Sequence, residues 1–156
     1  MLKIYNTDVT SGEFSRIDKY EVGSWVNLVN PTEVEIDEVV NALGIKKNFI
    51  MSIIDDDEKP RIDEEDGVKM LLLDVPVYET KNNIKTITTL PIGILVVRND
   101  YIVTVCLQKY SIIDEFTKGK VREFYTYKKS RFIIQMIYKL ALLYLKMLRE
   151  IDKKIE

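Results

Sequence analysis

Four consecutive carboxylates, Asp55-Asp56-Asp57-Glu58, have the most chemistry to offer in this sequence. They follow an apolar stretch that reads as a helix from Lys47 to Ile54, so they gather at the end carrying the macrodipole's partial negative charge, an unfavourable arrangement. A divalent cation relieves it. Hard oxygen ligands without histidine or thiolate suit Mg2+ or Ca2+ far better than zinc or copper. Magnesium keeps several of its waters, so an ion held by one or two of Asp55, Asp56 and Asp57 binds weakly and exchangeably. The plain alternative is a solvated acidic loop partly neutralised by Lys59 and Arg61.

A second acidic group, Asp63-Glu64-Glu65-Asp66, precedes Gly67 and reads as a hairpin turn, where exposed charge followed by glycine is favoured. Paired carboxylates can act as general acid and base only in a cleft that shifts their pKa values, and nothing around these points to burial. The chain has no histidine, which removes the usual general base and the imidazole ligands of most zinc sites. The single cysteine, Cys106, lies in an apolar run where a small hydrophobe serves equally well. A reducing compartment fits. The expectation is therefore a protein that is not an enzyme, with a metal-dependent hydrolase using the acidic turn as a distant rival.

From Lys118 to Arg131 six basic residues accompany only Glu123, with Phe124, Tyr125 and Tyr127 interleaved. Such a pattern can hold phosphates and stack bases. Against a nucleic-acid partner, the aromatics fit a loop packed on a sheet, and the chain is acidic overall, with a formal net charge of −2. No nucleic acid is expected. The six glycines are scattered and none has the spacing of a Rossmann or Walker loop.

These groups must be placed by a chain of 156 residues, about one domain long, able to bury roughly 70% of the surface its unfolded form exposes. Leu2–Tyr5 and Trp25–Leu28 read as strands. Asn30-Pro31-Thr32-Glu33 combines a capping side chain, proline at the first helical position and acids in the first turn. Val34, Ile36, Val39, Val40 and Leu43 follow at helical spacing, and Gly44 supplies the left-handed stop. After the helix from Lys47 to Ile54, Pro60 turns the chain. Arg61–Asp63 with Val68–Tyr78, and Thr86–Val97 with Tyr101–Leu107, read as hairpins. Runs such as Met70-Leu71-Leu72-Leu73 show little polar alternation, which predicts a sheet covered by helices on both faces. From about Ser130 to Ile155 a long helix has only a narrow polar stripe, so it predicts a second surface that takes another helix or subunit. Residues 1–128 thus form an αβα unit around a mixed, largely antiparallel sheet, and 129–156 begin a helical extension of the same structural unit.

The N-terminus lacks the basic and apolar regions of a secretory signal. Phe132–Leu148 is interrupted by Gln135, Lys139 and Lys146 and falls short of the roughly 20 apolar residues of a membrane span. The fragment is expected to be soluble.

Particular residues in this order resemble the cytosolic domain of the CorA-like magnesium transporters. Trp25-Val26-Asn27-Leu28 followed by Asn30-Pro31-Thr32-Glu33 resembles that family's tryptophan strand and proline-capped helix. Asp55-Asp56-Asp57-Glu58-Lys59-Pro60-Arg61-Ile62 looks like its acidic turn running into a Pro-Arg strand start, and Pro91-Ile92-Gly93-Ile94 with Asn99-Asp100-Tyr101-Ile102-Val103-Thr104 resembles its paired central strands. Each motif alone is weak; four in order are not. The resemblance implies a sensor domain of a homopentameric channel for Mg2+, or for Co2+, Ni2+ or Zn2+, at the cytoplasmic face of the cell membrane. The transmembrane helices and their Gly-Met-Asn signature are expected beyond Glu156. It also implies a regulatory metal site between subunits, using an acid in the helix before the acidic turn. Counting back from Pro60-Arg61, that position falls at about Ser52, a poor magnesium ligand, which moves the expectation to the neighbouring aspartates. A soluble interaction module that shares the fold is the alternative.

Overall fold

In a computed structural model describing residues 1–55 and 59–155, the strands are β1 (Leu2–Thr7), β2 (Phe14–Ile17), β3 (Trp25–Val29), β4 (Arg61–Glu65), β5 (Val68–Lys81), β6 (Ile84–Val97) and β7 (Tyr101–Cys106). They form one seven-stranded sheet in the order β2-β1-β3-β7-β6-β5-β4. Every neighbouring pair is antiparallel except β3 with β7, which run parallel. The helices are α1 (Glu33–Leu43), α2 (Lys47–Ile54), α3 (Ser111–Thr117) and α4 (Lys129–Ile155). This is the mixed, largely antiparallel αβα sandwich with a long C-terminal helix that the sequence predicts.

Both faces of the sheet are covered, as the unalternating runs require. Met70, Leu72, Leu95 and Val103 point to one core with Ile36, Val39, Ile50 and Ile53 from α1 and α2. Leu71 and Leu73 point the other way, beside a second core of Trp25, Ile92, Ile94, Phe116 and Phe132 with α3 and α4. One strand feeding two cores has no polar face to show. At the centre of the second core, Trp25, Phe124 and Phe132 meet at ring-centroid separations of 4.5–5.8 Å. The indole N–H of Trp25 donates to Thr104 Oγ1 at 2.8 Å, and the Thr104 hydroxyl donates to Asn27 Oδ1 at 2.9 Å, so these polar groups are satisfied.

Several expectations shift in detail. The cap of α1 is Thr32, not Asn30, and Pro31 precedes it. The Thr32 hydroxyl accepts the Glu35 backbone N–H at 3.2 Å, and the Glu35 carboxylate accepts the Thr32 backbone N–H at 2.9 Å, a closed capping box. Asn30 turns the chain out of β3 with φ 42°, its N–H donating to the Cys106 carbonyl. Val34, placed on the apolar stripe by spacing, is 79% exposed. The acidic group 63–66 is mostly strand: Asp63, Glu64 and Glu65 pair with β5, and only Asp66-Gly67, both at positive φ, make the turn. β2 and α3 add to the predicted elements. β5 and β6 form one continuous hairpin of two 14-residue strands, because Asn82 and Asn83 both adopt positive φ and close a two-residue turn.

Candidate functional site

α2 brings Asp55, the first residue of the acidic segment, to the surface. Phe49, Ile50 and Ile53 bury one side of this eight-residue helix. Ile53 lies so close to the sheet that a Cβ on Gly93 of β6 would fall within 2.9 Å of its Cγ1, Cγ2 and Cδ1. Gly93 therefore sets how deeply α2 sinks, and its backbone is ordinary strand.

Ser52 is half-buried, and its hydroxyl donates to the Phe49 carbonyl at 2.9 Å, spent on its own helix. Asp55 is exposed at the C-cap of α2, its backbone N–H donating to Met51 O at 3.1 Å. Asp56 and Asp57 lie outside the described residues. The last turn of α2 carries no base to offset the dipole.

Four other carboxylates, from α1 and the β4–β5 turn region, are committed to lysines. Lys47 bridges Asp37 at 2.9 Å and Glu33 at 3.1 Å, and Lys46 pairs with Glu65 and, at 3.2 Å, with Asp66. Hydrogen bonds to Asp37 and Glu33 raise the pKa of Lys47, and those to Glu65 and Asp66 raise that of Lys46. Among the described residues no three Asp, Glu or Cys side chains gather closely enough to cage a metal ion.

The guanidinium of Arg98, which sequence reasoning missed, reaches the terminal carbonyls of α1 at Leu43 and Gly44. It supplies the positive charge that the last turn of α1 lacks. Its signal in the sequence is only a charged residue in a hairpin turn.

The basic and aromatic segment 118–131 is largely structural. Phe124 is buried in the second core, Arg131 pairs with Glu123 at 2.6 Å, and Lys128 lies 4.8 Å over the Tyr125 ring. Burial pushes the Cys106 thiol well above its ordinary range, so it stays protonated and unreactive.

α4 packs on the sheet through Phe132, Met136, Leu140 and Met147 and extends about 40 Å. Tyr144 donates to the Asp74 carbonyl at 2.8 Å, and Tyr78 hydrogen-bonds Glu150, so two tyrosines tie the helix to β5. Its outer side is apolar and exposed. Among the described residues no helix is long and apolar enough to cross a membrane.

The architecture is shared with solved transporter structures. The chain aligns over 99% of its length with the soluble domain of CorA from Methanocaldococcus jannaschii, at 18% identity and a TM-score of 0.79, covering 61% of that chain. The complete CorA magnesium transporter of the same organism matches over 99% of this chain and 48% of its own, with 16% identity and a TM-score of 0.76. The cytoplasmic domain of ZntB from Vibrio parahaemolyticus matches at 13% identity and a TM-score of 0.70, over 99% of this chain and 64% of that one. At these identities the likeness is one of fold. In sequence, the cobalt/magnesium transport protein CorA of M. jannaschii is 22% identical over 111 residues, 71% of this chain but only 32% of that protein. The chain thus spans about a third of the length of its curated relative. The family described as CorA-like Mg2+ transporter protein matches residues 20–156, nearly the whole chain, and the chain belongs to that family.

Proposed function

We propose that this chain is the cytosolic, metal-sensing regulatory domain of a CorA-like transport channel, with Mg2+ as cargo and Co2+, Ni2+ or Zn2+ as the alternatives. The observation that carries the reading is the family match over residues 20–156 on an αβα domain whose long helix α4 leaves the sheet with its outer side uncovered. The full-length protein is a homo-oligomer, a pentamer, in the cell membrane with this domain at the cytoplasmic face. The domain has no catalytic activity of its own.

Regulation is linkage. Asp55, Asp56 and Asp57 would hold a hydrated Mg2+ that neutralises their charge at the end of α2. If one arrangement of neighbouring domains binds that ion better than another, occupancy shifts the population toward it. α2 is fixed to the sheet through Ile53 and Gly93, and α4 through Tyr144, so a shift at the acidic segment moves the domain as one body. The ion binds weakly, which suits response to an abundant cation.

The test is ion flux through the full-length protein in proteoliposomes, with Mg2+ varied on the cytoplasmic side. Mg2+ influx that is inhibited by internal Mg2+, with inhibition moved to higher concentrations by Asp55→Asn with Asp57→Asn, supports both parts. Absence of flux sinks the transport reading. Flux with unchanged inhibition in the variant removes sensing from these aspartates.

A further inference from the structure

The β5–β6 hairpin overruns the sheet. β4 pairs with β5 only over Val68–Leu72, and β7 pairs with β6 only over Ile92–Val97. Residues 73–81 and 84–91 therefore stand as a two-stranded ribbon with an open edge on each side. An open edge is a row of unpaired amides and carbonyls that takes a further strand, and folded proteins block such rows with proline, charge, shortness or a covering side chain.

The other free edges of this sheet are blocked in these ways. β2 has only four residues, and β4 presents Asp63, Glu64 and Glu65. On the ribbon, the β5 edge lacks an N–H at Pro76, the Tyr144 hydroxyl takes its Asp74 carbonyl at 2.8 Å, and it ends in the Glu79–Lys81 ion pair. The β6 edge has no such device, since Thr86-Ile87-Thr88-Thr89-Leu90 carries no charge, proline or glycine. The ammonium of Lys85 lies over the Tyr78 ring of β5, 3.9 Å from its centroid, and does not guard the edge.

Pro91 fixes the direction of the open groups. Its carbonyl accepts the hydroxyl of Tyr110, which follows β7, at 2.7 Å and so points away from β5. Along an antiparallel ladder, residues alternate between turning both hydrogen-bonding groups toward the partner strand and turning both away. Thr89, Ile87 and Lys85 thus turn N–H and C=O outward with Pro91, and among the described residues nothing takes them.

This edge is complementary to itself. A second copy laid antiparallel sets odd-numbered residues against odd-numbered ones, since only those have free groups. Lys85 against Lys85 opposes like charges. Ile87 against Ile87 drives the Asn82-Asn83 turn of one copy into the place beside Pro91 that Tyr110 fills. Between these registers Lys85 stands against Ile87 of the second copy, and Ile87 against its Lys85, with about four hydrogen bonds exchanged. Thr86 then faces its own equivalent across a twofold axis and Ile84 faces Thr88, the β-branched pairs that a ladder favours.

We propose that the β6 edge from Ile84 to Thr88 is a self-pairing interface that joins two copies of this chain through an antiparallel β6–β6 ladder. A twofold contact does not propagate round a ring, so it links separate molecules and leaves the contacts within a homo-oligomer free. The inference holds whether or not the full-length protein carries ions.

The test is sedimentation of the 156-residue chain from about 10 μM to about 1 mM, where a short ladder is expected to give a monomer–dimer equilibrium. Thr86→Glu sets two carboxylates across the axis, and Ile87→Pro removes an outward N–H that β5 does not use. Each is expected to weaken dimerisation at least ~10-fold, and circular dichroism checks that both stay folded. Facing residues of a non-hydrogen-bonded pair lie about 4.5 Å apart at Cα, within disulfide reach. Thr86→Cys is therefore expected to cross-link two copies in a glutathione buffer and Thr88→Cys alone to stay reduced, while Cys106 is buried. A chain that stays monomeric overturns the proposal, as does a dimer that both Thr86→Glu and Ile87→Pro leave intact, which places the contact on another surface. Cross-linking through Thr88→Cys in preference to Thr86→Cys overturns it too. A monomer whose 85–89 amides gain exchange protection from a synthetic threonine–valine peptide overturns it in favour of another protein's strand.

Discussion

Replacing Gly93 with alanine adds one methyl group at the point where α2 meets the sheet. That methyl falls within 2.9 Å of three carbons of Ile53, and Ile53 is fully buried, with no empty side to swing toward. Overpacking a dense core costs about 1–3 kcal/mol. With three carbons in conflict we expect the upper half, about 2–3 kcal/mol. For a domain of this size that lowers the thermal midpoint by about 5–10 °C. The assay is urea unfolding followed by the fluorescence of Trp25, the only tryptophan. Ile53→Ala alone leaves a cavity and costs about 2–5 kcal/mol. Adding Gly93→Ala to that variant should be neutral or stabilising by up to about 1 kcal/mol, because the methyl enters vacated space and alanine suits a strand better than glycine. The two changes are then coupled by about 2 kcal/mol or more. Costs that add within about 0.5 kcal/mol would refute the claim that Gly93 seats α2 through Ile53.

Thr104→Val keeps the shape but strands the Trp25 indole N–H and the Asn27 amide oxygen, and should lower stability by about 2–3 kcal/mol in the same assay, where a neutral result removes the network from the core's account. Thr32→Ala opens the capping box of α1 and should cost about 1 kcal/mol, read from the urea midpoint. The Thr32 backbone N–H, aided by the Met1 ammonium, holds the Glu35 carboxyl below the ordinary carboxylate range. Its contribution is therefore present at neutral pH and is lost as pH falls through the lowered Glu35 pKa. Glu35→Gln should flatten that part of the stability profile, and an unchanged acid slope would show that the box does not titrate with folding.

Local signals were legible wherever a residue's neighbours in sequence decide its state. Lys47–Ile54 is a helix with the bounds its apolar spacing predicts, and Gly44 ends α1 in the left-handed region with φ 65°. The two-faced sheet followed from strands with no polar alternation, and the family from four motifs in order. The Asp55 carboxylate stands at the helix end where spacing placed it, while Asp56 and Asp57 fall outside the described residues.

What the sequence by itself determined about this protein is the kind and order of its elements, because turn chemistry and hydrophobic periodicity act over a few residues. Tertiary structure alone decided the rest. Thr32 rather than Asn30 caps α1, since Asn30 is drawn to the Cys106 carbonyl of β7, distant in sequence. Val34 faces outward although its spacing fits the stripe, and Arg98 reaches back to the end of α1. Gly93 reads as an unremarkable strand glycine until Ile53, forty positions earlier, is laid across it. α4 shows both kinds of determination: periodicity gives it two apolar sides, and only the packed sheet decides which is buried and which is left exposed.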